Sequence, residues 1–385
     1  MTNGSWHEAT PTRRDTIKYG TAVAAGGLLA GCLGDASPSA EAGVDDETDA
    51  HSVEMAPMGE VTFDSVPERW AAYDGGYADM AVALGQADGL TGVGGADRYY
   101  TYVYDELPGV SVDRETIEAY PEVRTKEEFY ELDNDIHLYD PGMLRNWFDW
   151  SDDDVEEIRS NVAPFLGNLI FRRSDEWHEY RYYTLYDAFE KVAAAFDETE
   201  RYEAFAEFHD EFIASVQSRL PAADERPSVF LTFEGTNKPE TFSPYRLNDK
   251  GTSKKQWNDL GTTDALAGTD IDNLSTTDRG ELDYENLLEI DPEVILVRGH
   301  ERKSAAEFRD TVLAYMKDHD VASELQAVQA GRVYRGGYLH QGPIHNLFLT
   351  ERAAKQLYPE EFGDVTSDEQ LFDRQEVADI VNGDI

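Results

Sequence analysis

Cysteine and basic residues are both scarce in this sequence, and each scarcity excludes a class of protein. A single cysteine among 385 residues rules out an internal disulfide framework and a zinc site built from cysteine pairs. Lysine and arginine together number 33, against 78 aspartates and glutamates, which gives a net charge of −45. Nucleic acid and anionic lipid surfaces require clustered basic residues, so neither is expected as a partner.

The acidic residues are spread along the whole chain, and lysine is rarer than arginine, with 10 lysines and 23 arginines. This composition resembles that of proteins from salt-loving archaea. Salt near 1 M shortens the Debye length to ~3 Å, so we expect the fold to need salt against repulsion between its carboxylates. Hydrophobic residues still make up 41% of the chain, which supports about two globular domains.

The N-terminal 32 residues have the pattern of an export signal. The sequence TRRDTIK from Thr12 contains a twin-arginine pair, a short apolar run follows at 19–30, and LAGC ends at Cys32. The apolar run is too short to span a membrane, which takes ~20 residues. We predict a twin-arginine signal with a lipobox over 1–32 and lipidation of Cys32. The alternative is a cytosolic protein with a chance apolar leader.

Residues 33–57 are small, polar or acidic, with almost no large apolar side chain. Such a composition is typical of a flexible tether. The prediction is a folded protein that is exported by the twin-arginine route. A lipid anchor alone then holds it at the outer face of the cell membrane.

Short apolar strands alternate with helices along the rest of the chain, which is typical of parallel sheets in layered α/β domains. Residues 175–220 follow a helical pattern that is interrupted near 197–200, and its second helix is long enough to join two lobes. We predict two Rossmann-like, three-layer α/β lobes joined by a single long helix. The predicted boundaries are an N-terminal lobe at 58–198, the helix at 199–221, a C-terminal lobe at 222–362 and an acidic tail at 363–385.

Several segments resemble the helical-backbone (type III) substrate-binding proteins of ABC importers, which are the receptors for iron–siderophore complexes, haem and cobalamin. The most specific segment is DPEVILV at 291–297, which follows a short helix predicted at 284–290. The other segments are YADMAVALG at 77–85, TGVG at 91–94, LQAVQAGRVY at 325–334 and AAKQLYP at 353–359. The resemblance covers residues 58–362, and the stretches 98–124 and 238–279 are unfamiliar within it.

The resemblance implies an extracellular receptor that takes an iron–siderophore-type chelate into the cleft between its lobes and delivers it to an ABC permease. It implies neither catalysis nor a cofactor, and the sequence has no GxSxG elbow, P-loop or HExxH motif. A single stiff helix permits only small tilts, so the cleft is expected to be largely preformed. Receptors of the same fold for cobalamin, haem or free metal are the alternatives, and a secreted hydrolase is a remote one.

Residues that follow predicted strands are the candidates for the ligand-binding site, because ligands bind near the carboxyl ends of strands in such folds. Arginine can hold carboxylate, catecholate or phosphate oxygens, and tyrosine and tryptophan offer flat faces. The candidates are Tyr77, Arg98, Tyr99, Arg145, Trp147, Glu234, Arg246, Arg298, His300 and Tyr338.

Each candidate also has a structural alternative. The arginines can pair with surface carboxylates, Tyr77 can belong to the core, and a lone histidine such as His300 is more often not a ligand. His340 and His345 lie on either side of a Gly-Pro pair, which does not match the spacing of a helical zinc site. No metal site is predicted.

Overall fold

The computed structural model describes residues 50–120, 122–247, 251–269, 271 and 280–385. The predicted export signal, Cys32 and most of the predicted tether lie outside these residues. None of the described helices is long and apolar enough to cross a membrane.

The first lobe is built on a small parallel sheet. Its strands are β3 (Trp70–Ala72), β4 (Leu90–Val93) and β5 (Ile136–Leu138), preceded by a hairpin of β1 (His51–Met55) and β2 (Gly59–Phe63). The sheet order is β4-β3-β5. Its helices are α1 (Gly75–Ala83), α2 (Arg114–Ala119), α3 (Lys126–Leu132), α4 (Pro141–Trp147) and α5 (Asp152–Asn161), with 3₁₀ turns at Ala87–Gly89, Ala96–Arg98 and Thr101–Glu106.

Two helices lead from the first lobe to the second. They are α6 (Leu185–Ala195) and α7 (Thr199–Ser218). The 20 residues of α7 span about 30 Å at the usual rise per residue. Phe205 and Phe212 are buried on the inner face of α7, while its outer face is acidic.

The second lobe is a mixed sheet with the order β10-β9-β6-β7, in which β8 also pairs with β6. The strands are β6 (Ser228–Phe233), β7 (Ser243–Tyr245), β8 (Thr263–Asp264), β9 (Val294–Arg298) and β10 (Val333–Arg335). β6, β9 and β10 run parallel, and β7 is antiparallel to β6. All five residues of β9 are buried, as expected of a strand covered on both faces.

The helices of this lobe alternate with its strands and then continue to the chain end. They are α8 (Lys255–Asp259), α9 (Tyr284–Ile290), α10 (Ala305–Phe308), α11 (Ala314–Asp318), α12 (Gln326–Gln329), α13 (Pro343–Leu357), α14 (Pro359–Phe362) and α15 (Arg374–Asn382). A π-helical turn fills Arg309–Leu313, and 3₁₀ turns occur at Ala223–Glu225, Thr252–Lys254 and Ala322–Glu324. The chain is thus an α/β protein of two lobes with parallel sheets.

The lobes meet closely where α1 and α13 begin. A Cβ atom on Gly342 would lie 2.5 Å from the carbonyl oxygen of Gly76 and 2.6 Å from the Asp79 side chain. Only glycine fits this approach. One apolar cluster includes Ala78 on α1, Phe205 on α7 and Leu347 on α13, so the two lobes share a core.

Three expectations about the segments differ from the structure. Residues 51–55, assigned to the tether, form β1, because Val53 and Met55 alternate with polar residues and are buried. Residues 175–184 are not helical. The predicted tail contains α15, whose Val377 and Val381 are buried against the rest of the protein.

Candidate ligand-binding site between the lobes

The carboxyl end of β3 leads directly into a cluster of aromatic rings. Tyr73 is the first residue after this strand, and its ring lies 6.2 Å from Trp147 and 6.1 Å from Phe148, measured between ring centres. The His340 ring, from the loop after β10, lies 6.1 Å away. Because β3 and β10 belong to different lobes, the cluster lies where the lobes meet.

Three arginines act on this cluster. The Arg172 guanidinium carbon lies 4.5 Å from the Trp147 ring centre, and that of Arg124 lies 5.2 Å from Phe148. Arg98, in the 3₁₀ turn after β4, adds a third positive charge that acts to lower the pKa of Tyr73. We call these six residues the Tyr73 site: Tyr73, Arg98, Arg124, Trp147, Phe148 and Arg172.

The arginines differ in depth. The exposed fraction of the side chain is 57% for Arg98, 33% for Arg124 and 14% for Arg172. Arg172 is also fixed in place, since Asp175 accepts from its Nε at 2.6 Å and from its Nη2 at 2.5 Å. A guanidinium that is already ordered binds an anion at a lower entropic cost.

Tyr73 is a neutral phenol at neutral pH. Burial, reinforced by the Asp74 carboxylate, raises the pKa of Tyr73 to about 12, against the opposing effect of Arg124, Arg98 and Arg172. Its hydroxyl can therefore donate a hydrogen bond to a ligand oxygen.

Asp74 joins the two lobes beneath the site. Its Oδ1 accepts from the backbone nitrogens of Gly76 and Tyr77 at the start of α1, at 2.8 and 3.1 Å. Its Oδ2 lies 2.9 Å from Nδ1 of His340. Burial acts to raise the pKa of Asp74, but His340 and the α1 amides lower it below its ordinary value. The charged carboxylate is thus held between a helix N-terminus and the opposite lobe.

Asp140 lies two residues after β5, as Asp74 does after β3, but its surroundings disfavour the charged carboxylate. It accepts from Gly142 N and Leu169 N at 2.7 Å each and from the Tyr180 hydroxyl at 2.7 Å. Burial outweighs these bonds and raises the pKa of Asp140 to about 6. The Tyr180 bond ties the loop that contains Arg172 to the floor of the first lobe.

Of the residues predicted from the sequence, Trp147 lies in the cluster of rings around Tyr73 and Arg98 acts on Tyr73 through its charge; their role towards a ligand stays a prediction. Arg145 lies on the same helix as Trp147, and its Nη1 is 3.4 Å from Asp152. Glu234 follows β6, and its Oε1 accepts from Thr236 N at 2.6 Å.

Four predicted residues are buried and occupied by structural contacts. The Tyr77 hydroxyl donates to the carbonyl of Asn168 at 3.0 Å, and the Tyr99 hydroxyl lies 2.9 Å from that of Tyr104. Arg246 donates to Asp264 at 2.8 Å. Burial and the nearby Lys303 lower the pKa of His300 to about 4. Each of these four residues is at most 9% exposed, so little of its surface is free in this structure, and its role towards a ligand stays a prediction.

Arg298 and Tyr338 lie at contacts close to the boundary between the lobes. Arg298 donates to the carbonyls of Gly336 and Ser253, and Ser253 N donates to Phe171 O at 3.2 Å. Tyr338 stacks on Tyr100 at 4.5 Å between ring centres. Their role towards a ligand stays a prediction.

The residues predicted from the sequence do not include Tyr73, Arg124, Phe148 or Arg172. Tyr73 had a usable signal, because it directly follows an apolar strand. Arg124 and Arg172 lie in coil, far along the chain from the strand ends, so only the fold brings them to this site.

No group of three or more His, Cys, Asp and Glu side chains suitable for a metal ion occurs in the described part of the chain. What the Tyr73 site gathers instead is guanidinium groups and flat rings. Such a set can hold an anion that has oxygen acceptors and a planar or bulky frame.

Solved structures of the same fold include receptors from several bacteria. The chain aligns with the iron uptake ABC transporter substrate-binding protein PiuA of Streptococcus pneumoniae at 17% identity, covering 79% of this chain and 97% of that one, with a TM-score of 0.53. It aligns with the petrobactin-binding protein YclQ of Bacillus subtilis at 15% identity, covering 86% of this chain and 98% of that one, with a TM-score of 0.53. It aligns with Staphylococcus aureus SirA, solved in complex with staphyloferrin B, at 17% identity, covering 80% of this chain and 98% of that one, with a TM-score of 0.51.

No curated protein sequence matches the chain. The family model described as periplasmic binding protein matches residues 71–337, which is more than half of the chain. This segment begins in β3 and ends just after β10, so it includes both sheets and the helix α7 between them. The chain therefore belongs to the periplasmic binding protein family.

Proposed function

We propose that this protein is the receptor of an ABC importer and that it captures an anionic ferric chelate of the siderophore type at the Tyr73 site. It delivers the chelate to the permease without chemical change. The chain is exported by the twin-arginine route and anchored through Cys32 at the outer face of the membrane.

The observation that carries the proposal is the group of three arginines around Tyr73, Trp147 and Phe148 at the meeting of the lobes. Each arginine has an acidic neighbour. Arg98 lies 3.8 Å from Asp97, Arg124 lies 3.1 Å from Glu122, and Arg172 lies 2.5 Å from Asp175. Three arginines thus face these three carboxylates and the buried Asp74, so basic groups are far more concentrated here than in the chain as a whole, whose net charge is −45. A polyanionic ligand needs such a local exception, since the rest of the protein repels it.

Family membership supports a binding role, and the ligand class is inferred from the site. PiuA, YclQ and SirA share the fold and are named for iron uptake, petrobactin and staphyloferrin B. Those ligands are the reason to test ferric chelates first. Arg124 and Arg172 would bind the chelate oxygens, Trp147 would pack on its frame, and the Tyr73 hydroxyl would donate to it.

The test is a fluorescence titration at 2 M KCl, with quenching of the six tryptophans as the signal. The ligands are a ferric tris-catecholate, which carries three negative charges, an uncharged ferric tris-hydroxamate, cobalamin, haem and bare divalent metal ions. We expect the tris-catecholate to bind most tightly. Arg124→Gln and Arg172→Gln should each weaken it by about tenfold or more, as for lost charge-assisted bonds.

Arg159→Gln is the matched control, because Arg159 is an exposed arginine on α5 whose partner among the described residues is Glu156. Its affinity should equal that of the wild type. Preference for cobalamin, haem or a bare metal ion, or equal affinity in all three variants, would refute the ligand class. Turnover of any ligand would refute the receptor role.

A further inference from the structure

A cavity lies along the edge of the second lobe's sheet, at β10. It has a volume of about 780 Å³ and is enclosed by α10, the π-helical turn, β10, α13 and residues 364–367, with Tyr102 from the first lobe at one side. This volume is within the range of small-molecule sites, about 300–1,000 Å³. The cavity shares no residue with the Tyr73 site.

Of two arginines that line this cavity, one is paired with a carboxylate. Arg352 is bound by Glu301 at 2.8 Å. Arg335 donates to the carbonyl of Lys303, and no carboxylate of the described residues lies within 4.0 Å of it. Glu301 also accepts from Gly337 N at 2.8 Å, so its remaining capacity to neutralise Arg335 is small.

The excess positive charge has a physical cost. Arg335 is partly buried, so its charge is poorly solvated, and Arg352 repels it. Arg335 therefore differs from Arg352, whose charge is neutralised by Glu301. An anion that enters the cavity would remove both the repulsion and the desolvation cost.

The walls of the cavity are aromatic. The rings that line it are Tyr102, Phe308, Tyr334, Tyr338 and Phe348. Tyr102 and Tyr338 are joined by a hydrogen bond of 2.6 Å between their hydroxyls. A bare inorganic ion would leave these faces uncovered, whereas a flat organic anion would cover them.

We propose that this cavity is a second binding site, which takes a small organic anion with a carboxylate on an aromatic frame. The carboxylate binds Arg335 and the outer face of Arg352, and the frame lies between the rings. Since Tyr102 belongs to the first lobe, the bound anion contacts both lobes.

The experiment compares benzoate with benzamide, its uncharged counterpart, by isothermal titration calorimetry on the folded protein at one fixed salt concentration. We expect saturable benzoate binding with Kd of about 1 mM or tighter and benzamide binding at least tenfold weaker. Arg335→Gln should weaken benzoate at least tenfold, and Arg335→Lys should restore most of the affinity.

Two further variants test whether a loss of binding comes from misfolding or from a general change in surface charge. Ala306→Trp places bulk at an exposed position of the cavity lining without touching Arg335, and it should also abolish benzoate binding. Arg159→Gln changes an exposed arginine on α5 that is not among the residues lining the cavity, and it should leave Kd within twofold.

The proposal is overturned by any of three results. These are no saturable benzoate binding up to about 10 mM, equal binding of benzamide, or unchanged affinity in Arg335→Gln and Ala306→Trp. The Arg124→Gln variant separates this site from the ferric chelate site. It should keep benzoate binding in the cavity, while the Arg335→Gln variant should keep chelate binding.

Discussion

At the scale of single residues, Asp140 shows how a buried carboxyl makes stability depend on pH. Burial raises the pKa of Asp140 from 3.8 to about 6. The folded protein therefore binds a proton at this site more readily than the unfolded chain between these two pH values. The contribution of this group to stability is largest at low pH and is lost as the pH rises through about 6.

Replacing Asp140 by asparagine should remove this pH dependence. The wild-type free energy of unfolding minus that of Asp140→Asn should fall by about 2 kcal/mol between pH 4 and pH 7, since one pKa unit corresponds to about 1.4 kcal/mol. Urea unfolding at several pH values measures this difference, in which the titration of the other acids cancels.

Asp113→Asn is the contrasting variant. Hydrogen bonds from the Thr116 side chain and backbone lower the pKa of Asp113, which is an exposed N-cap. Its carboxylate stabilises the fold above its unfolded pKa, so the wild-type advantage over Asp113→Asn should shrink as the pH falls. A pH-independent difference for Asp140→Asn would contradict the assignment of its raised pKa.

Residue types alone did not identify the site, and the arginines show why. Position after a strand selected Arg98, Arg145, Arg246 and Arg298, but strand position does not determine which way a side chain turns. Arg246 is paired with Asp264 and buried, whereas the side chain of Arg98 is 57% exposed. In an acidic chain most arginines find a carboxylate, so only three-dimensional packing distinguishes the few that face a cleft.

At the scale of secondary structure, α15 is a short helix that packs closely against the rest of the protein. Its Val377, Ala378, Ile380 and Val381 are buried, and it packs against α7 and α1. Arg374 at its start donates to both carboxylate oxygens of Glu351, at 2.9 and 3.1 Å. The helix therefore fastens the chain end onto the helix that links the lobes.

Ile380→Ala should lower the free energy of unfolding by about 3 kcal/mol, which is typical of truncating a buried isoleucine. Urea unfolding followed by circular dichroism measures the change. Gln375→Ala, at an exposed position of the same helix, should change stability by no more than about 0.5 kcal/mol. Equal small effects in both variants would show that the helix is not docked.

Elements with a strong apolar pattern could be predicted, and short ones in acidic surroundings could not. The helix at 284–290 and the strand from Val294 match their predictions, because helix spacing and a continuous apolar run are unambiguous. The hairpin of β1 and β2 and the helix α15 were missed. Each has only about four apolar residues, and the acidic residues around them gave the segments the composition of a linker.

At the scale of the whole molecule, the two-lobed α/β class could be predicted, but the closeness of the lobes could not. That closeness depends on contacts between residues far apart in sequence, such as Asp74 with His340 at 2.9 Å. Thr252 N also donates to Ile170 O at 2.9 Å across the boundary. Such contacts make wide opening costly, and a cleft that changes little on binding stays a prediction.

The net charge of −45 should make the whole fold dependent on salt. The Debye length falls from about 10 Å at 0.1 M to about 3 Å at 1 M, so most of the repulsion between surface carboxylates is removed in that range. Helix α7 offers a local probe, because Glu203, Glu207 and Glu211 lie four residues apart and are all exposed. Like charges at this spacing destabilise a helix.

Glu207→Lys converts two repulsive pairs on α7 into two attractive ones. At 0.1 M KCl it should raise the free energy of unfolding in urea by about 1 kcal/mol, from 0.2–0.5 kcal/mol per pair counted for both signs. At 2 M KCl the gain should be close to zero, while the wild type itself should be more stable than at 0.1 M. Glu207→Gln, which only removes the repulsion, should give about half the gain at low salt. If the wild type were equally stable at both salt concentrations, or if the Glu207→Lys gain persisted at 2 M, repulsion between carboxylates would not limit this fold. The salt requirement inferred from its composition would then be wrong.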